Sequence, residues 1–205
     1  MNLIFLPGAS GSTEFWQPVM HNLSVNHQKT VLAYPSFGGS PDHPDIQSFE
    51  DLQDYVIAQI QHPSIVIAQS MGGIFAVQAA LQKPQQIAAL VLVATSGGID
   101  LAPFHVADWR KDYQQTFAVP SWFVDHQSYM DELLSQISCP VLLIWGDSDP
   151  ISPLKVGEYL HEKIGNSTLH VVAQGEHDLA YVFAHSVSAL IENFISEYQS
   201  VQHKK

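Results

Sequence analysis

Cationic residues are scarce in this chain: eight Lys and Arg face twenty Asp and Glu, a formal charge of −12. A field of that sign repels phosphate backbones and anionic lipid, so neither nucleic acid nor a membrane surface is an expected partner. Cysteine is scarcer still. Cys139 stands alone, which excludes an intramolecular disulfide and any thiolate cluster for zinc or iron–sulfur binding. The eleven histidines show no H-E-x-x-H spacing, so no metal and no cofactor are expected. No apolar run approaches the ~20 residues of a membrane-spanning helix. Met1–Leu6 is apolar but meets Pro7-Gly8 at once and has no basic flank, too little for a signal peptide. The expected compartment is the cytoplasm. With 205 residues, 46% of them hydrophobic and 14% charged, the chain can bury a substantial core as one globular unit.

Short apolar, β-branched runs alternate with longer amphipathic ones. Leu3–Leu6, Thr30–Tyr34, Ser64–Ala68, Ala89–Ala94, Val141–Trp145 and Leu169–Val172 read as strands. Their apolarity is continuous rather than alternating, as in a parallel sheet covered on both faces. Helix patterns fall over 13–24, 48–60, 72–83, 153–164 and 183–199, the last with Val187, Leu190, Ile191, Phe194 and Ile195 at helical spacing. The alternation predicts one α/β domain over 1–205, a mostly parallel sheet of about six strands flanked by helices. One stretch breaks the rhythm. Residues 97–138 hold no strand-like run, yet Phe104, Trp109, Tyr113, Phe117, Trp122, Phe123 and Tyr129 fall there. So many rings outside the strand–helix repeat suggest a short cap over the C-terminal sheet edge, where open α/β sheets bind ligands.

The chemistry concentrates where strands end. Ile65-Val66-Ile67-Ala68-Gln69-Ser70-Met71-Gly72-Gly73 runs from a strand through a small-x-Ser-x-Gly turn into an Ala-rich helix. Such a turn forces strained backbone on its serine and tolerates only small residues two before and two after it. The pentapeptide alone arises in roughly one chain in seven of this length, so its strand–helix setting carries the weight. Ser70 would project above the sheet edge, with the Met71 N–H placed to donate to a developing oxyanion. A nucleophilic serine needs a base and an orienting acid. After the fifth expected strand comes Gly146-Asp147-Ser148-Asp149-Pro150, with two carboxylates. After the sixth comes Gly175-Glu176-His177-Asp178. All these loops follow parallel strands, so topology alone brings them to one edge. The Gly-rich turn Pro7-Gly8-Ala9-Ser10-Gly11 after the first strand supplies the Ala9 N–H as a second oxyanion donor. It is followed by neither Gly-Lys-Ser/Thr nor G-x-G-x-x-G, so a phosphate cradle is disfavoured.

In that order the motifs resemble the α/β-hydrolase superfamily, and its small serine esterases of the biotin-synthesis carboxylesterase type, over nearly the whole chain. The resemblance implies Ser70 as nucleophile, His177 as base, Asp149 (three after Gly146) as acid, and Met71 and Ala9 as oxyanion donors. Asp147 is then a turn-capping neighbour. Pro7 stands where the family usually has His, and Ala68 where it usually has Gly. Tyr34-Pro35-Ser36-Phe37-Gly38 lacks the usual acidic start. The chain begins at what would be the third of the family's eight strands, which implies a sheet trimmed at one edge. Phe15 and Trp16, after the Gly-rich turn, are expected in the core.

The expected activity is hydrolysis of a small carboxylic ester through an acyl-enzyme, with the cap's rings taking an apolar acyl or alkyl group. The same triad serves thioesterases, C–C bond hydrolases and perhydrolases, and the scaffold also serves non-catalytic binding proteins. A carrier-protein partner would want a basic patch, and Lys83, Arg110 and Lys111 are a thin supply.

Overall fold

A computed structural model describes residues 1–24, 26–107, 109, 113–114, 116 and 119–202. Phe117, Arg110 and Lys111 lie outside the described residues. Six strands, β1 (Asn2–Leu6), β2 (Gln28–Val31), β3 (Ser64–Gln69), β4 (Ile87–Val93), β5 (Val141–Gly146) and β6 (Ser167–Val172), form one sheet in the order β2-β1-β3-β4-β5-β6. Every pairing is parallel.

Side chains alternate across each strand, and both faces are apolar because both are covered. Leu6, Val66, Leu90 and Leu143 face a core completed by Phe49 of α2 (Phe49–Ala58), Phe75 of α3 (Met71–Gln82) and Leu160 of the helix Leu154–Lys163. Leu3, Phe5, Ile65, Ile67 and Ile144 face the opposite core, closed by Val19 of α1 (Gln17–Asn22) and by Val187 and Ile191 of the helix Ala184–Gln202. These side chains are essentially inaccessible, and each such Leu, Ile or Phe contributes about 1.5–3 kcal/mol of transfer free energy.

The order of strands reverses between β1 and β3. Their C-terminal ends therefore open a crevice, with Leu6 beside Ala68 and Gln69 beside Val93. Two differences from the sequence expectation are local. β2 is a four-residue edge strand that starts two residues and ends three residues earlier than expected, with alternating exposure, because β1 alone pairs with it. Leu32 N–H still donates to Phe5 C=O at 3.0 Å, so the extended backbone continues beyond the ladder. The first helix is six residues, since turns occupy 12–16 before Pro18 sets its first turn.

Between β4 and β5 the chain forms 3₁₀ turns at Ala102–Phe104 and Asp131–Gln136 and the helix α4 (Ser121–Asp125). Trp122 and Phe123 meet Phe37 at ring-centroid distances of 5.9 and 5.5 Å, and Trp109 meets Phe123 at 5.9 Å. The segment is tied down by polar bonds as well. Asp131 accepts from the Asp100 N–H at 3.0 Å and from the Tyr159 hydroxyl at 3.1 Å. The remaining helices are numbered α5 (Leu154–Lys163), α6 (Leu179–Val182) and α7 (Ala184–Gln202).

Candidate active site

Ser70 is the hinge between β3 and α3, and its backbone is held at φ 52°, ψ −122°. A non-glycine residue there is strained, and surrounding structure must over-determine it. Three contacts do so. The Ser70 N–H donates to Val93 C=O of β4 at 3.2 Å. The buried Thr95 hydroxyl donates to the Ser70 carbonyl and itself accepts from the Gly97 N–H at 3.0 Å. Gly72, two residues on, packs so closely on β1 that a Cβ would lie 2.6 Å from the Pro7 carbonyl oxygen and 2.7 Å from that of Leu6. The small residue after the turn is a packing requirement.

Strain and packing lift Ser70 Oγ toward His177. The Oγ lies 3.0 Å from His177 Nε2, and His177 Nδ1 lies 2.8 Å from Asp149 Oδ2. The Asp149 side chain is wholly inaccessible. Its other oxygen accepts from the Ile151 and Ser152 N–H groups at 2.8 and 3.0 Å, so the buried carboxylate is hydrogen-bonded on both oxygens. Asp147 points elsewhere. Its Oδ1 accepts from the Gln174 N–H at 2.7 Å and the Ser148 hydroxyl at 2.9 Å, clasping the loop after β5 to the loop after β6. Gly146 makes that approach possible, because a Cβ there would collide with the Gly175 backbone.

Ala9 and Met71 line the cavity beside Ser70. Their N–H groups have no acceptor among the described residues, which leaves two donors available at the serine. The loop carrying Ala9 is fixed from below. The fully buried Tyr34 hydroxyl donates to Pro7 C=O at 2.9 Å, and burial holds that phenol well above its ordinary pKa. Trp16 Nε1 donates to Leu6 C=O at 3.1 Å from within the core, as expected of Trp16. Phe15 instead walls a cavity of about 270 Å³ that shares Ser70, His177 and Trp109 with a larger one of about 610 Å³.

Sequence reasoning missed Thr95 and Gln69. The Gln69 amide donates to the His177 carbonyl at 3.1 Å, joining the serine turn to the histidine loop across 108 residues of chain. Its signal was an amide side chain at the end of an otherwise apolar strand. Among the described residues, no three His, Cys, Asp or Glu side chains are grouped to hold a metal.

A family model described as the alpha/beta hydrolase fold matches residues 2–129 and 108–184. The chain belongs to the α/β-hydrolase family. It is a hydrolase of that family. An uncharacterized hydrolase of Bacillus subtilis, YugF, is 25% identical, the match covering 94% of this chain and 89% of that one. A pimeloyl-[acyl-carrier protein] methyl ester esterase of Neisseria meningitidis is 26% identical, covering 92% and 91%. Among solved structures, a thermophilic esterase from Thermogutta terrifontis superposes with a TM-score of 0.81 at 17% identity, over 97% of this α/β-hydrolase and 90% of that chain.

Proposed function

We propose that this α/β-hydrolase cleaves carboxylic esters through a covalent acyl-enzyme formed on Ser70. His177, hydrogen-bonded to Asp149, takes the Ser70 proton as Oγ attacks the ester carbonyl. Charge develops on the carbonyl oxygen, and the Met71 and Ala9 N–H groups donate to it. His177 then protonates the departing alcohol, and water enters by the same route in reverse to release the acid. The carrying observation is the unbroken line Asp149 Oδ2, His177 Nδ1, His177 Nε2, Ser70 Oγ, with both gaps at hydrogen-bond length.

Residues 97–138 serve in this reading as a short cap on a single domain. Their rings, with Ile74 and Leu101, give the larger cavity apolar walls suited to a small acyl or alkyl group. The protein works in the cytoplasm, where Cys139 stays a thiol.

Turnover of p-nitrophenyl acetate and butyrate by wild type and Ser70→Ala tests the reading. Loss of the nucleophile lowers kcat by on the order of 10⁶ in hydrolases of this design. Equal rates would remove Ser70 from the reaction.

A further inference from the structure

Ser70, His177 and Asp149 are joined a second time, from beneath. Ser152 touches the acid through its backbone, its N–H donating to Asp149 Oδ1 at 3.0 Å. Its hydroxyl turns the other way and donates to the Thr95 C=O at 3.3 Å, while Oγ accepts from Trp145 Nε1 at 3.2 Å. Thr95 in turn donates its own hydroxyl to the Ser70 carbonyl. The result is a closed ring. Its front half runs from Ser70 through His177 to Asp149, and its rear half returns from Asp149 through Ser152 and Thr95 to Ser70. Chemistry fixes the direction of every bond in the rear half, because backbone and indole N–H groups only donate and carbonyl oxygens only accept. Ser152, Thr95 and Trp145 are all buried, so these bonds are shielded from water.

We infer that Ser152 is a positioning residue for the ester hydrolysis proposed above, acting through Thr95 to hold the acid loop in register with the serine turn; the inference rests on that reading. Backbone strain explains why such a brace is needed. Ser70 stands at φ 52° and Ala94, the residue before Thr95, at φ 45°. Non-glycine backbone in that region persists only where its surroundings over-determine it. Thr95 is the link common to both. Its hydroxyl holds the Ser70 carbonyl, and its own carbonyl, held by Ser152, follows directly on Ala94. The Ala94 N–H donates to Ile144 C=O of β5 at 3.2 Å, so the Ser152–Thr95 bond continues the connection of β4 to β5 beyond their ladder. Apolar side chains at 95 and 152 would fill the same space and leave the Ser70 and Thr95 carbonyls without these donors. Although Ser152 lines the larger cavity, its hydroxyl proton is committed to Thr95, so its loss falls on kcat rather than KM.

Ser152→Ala, Thr95→Val and the double variant test it, with p-nitrophenyl butyrate turnover measured well below each Tm. Ser152→Ala lowers kcat about threefold to tenfold, the range of one hydrogen bond, with KM within about twofold of wild type. Thr95→Val lowers kcat at least as far, and Thr95→Ser, which keeps the hydroxyl, stays within about twofold of wild type. Both changes cut one line, so the double variant is no more than about twofold worse than Thr95→Val alone. Ser152→Cys, whose thiol is a weak donor of similar size, stands in with the same expected loss should Ser152→Ala not fold. A folded Ser152 variant with kcat within about twofold of wild type overturns the assignment. So does a loss carried by KM, or single losses that multiply in the double variant. Fluorophosphonate labelling of Ser70 slows in the same order and reads the brace without an ester. Wild type labelled at Ser70 that cleaves no ester would sink the ester reading alone, and the labelling rates then decide the brace. Wild type that does neither would sink both.

Discussion

Gly72→Ala strikes the packing that holds the serine turn in its strained form. The added methyl would lie 2.6 Å from the Pro7 carbonyl oxygen, 2.7 Å from the Leu6 oxygen and 2.9 Å from the Leu6 carbonyl carbon. All three are backbone atoms at the end of β1, a strand paired on both sides, so no side-chain rotation gives relief. Ordinary contact requires the turn and β1 to part by roughly half an ångström or more, and overpacking of that kind costs about 1–3 kcal/mol. At about 2–4 °C per kcal/mol for a chain of this size, Tm falls by about 2–12 °C. The same movement carries Met71 away from Ala9 and so spreads the two oxyanion donors. Misplacement approaching 1 Å costs on the order of 10²-fold in rate, so kcat falls about tenfold to a hundredfold. Thermal unfolding and p-nitrophenyl butyrate kinetics read both effects, with Gly165→Ala as reference. A methyl at Gly165 meets nothing within 4 Å, and its effect stays within about 0.5 kcal/mol. If the two variants match in Tm and kcat, the close approach of turn and strand does not govern the site.

Further outcomes follow from the same geometry. Asp149→Asn lowers kcat by on the order of 10⁴ by disrupting the orientation of His177, whereas Asp147→Asn costs less than about tenfold; steady-state kinetics of the pair identify the acid, and a reversed order would assign it to Asp147. Gln69→Leu removes the donor to the His177 carbonyl, so kcat falls about tenfold with little change in KM; a variant with KM raised and kcat intact would contradict a positioning role. Burial pushes the Cys139 thiol up to about 11. Its thiolate fraction at pH 8 is then about a hundredfold below that of an ordinary thiol, and native protein reacts with iodoacetamide correspondingly slower than unfolded protein. The sign also fixes a stability trend. The native state keeps the proton that the unfolded thiol releases, so this group's contribution declines as pH rises above about 9. Equal alkylation of native and unfolded protein would show the thiol to be exposed.

Much of the scaffold was legible because parallel strands buried on both faces have an unmistakable pattern. Ile65–Ala68 and Val141–Trp145 are unbroken apolar runs, and each lies within a strand that is buried along its full length. The edge strand β2 was placed late because Leu32 and Tyr34 are buried by tertiary contacts beyond the ladder, and burial rather than pairing shaped their sequence. The four-residue α6 carries too few positions to show a period. At the site, Ser70, Asp149 and His177 were legible through loop order along the chain, and the structure sets them within hydrogen-bond range. Choosing Asp149 over Asp147 rested on spacing from Gly146; the physical difference is that one carboxylate is inaccessible and faces His177 while the other clasps two loops. Thr95 and Gln69 escaped notice because each holds a residue distant in sequence, Ser70 or His177, through a side-chain hydrogen bond to its backbone carbonyl.

Reaction of the folded enzyme with a fluorophosphonate, followed by peptide mass spectrometry, is the most direct test that Ser70 is activated by His177. The expected result is one adduct, on Ser70, formed rapidly by wild type and slowed by on the order of 10³-fold or more in His177→Ala. Folded wild-type protein that leaves Ser70 unmodified, or a His177→Ala variant labelled at the wild-type rate, would contradict it.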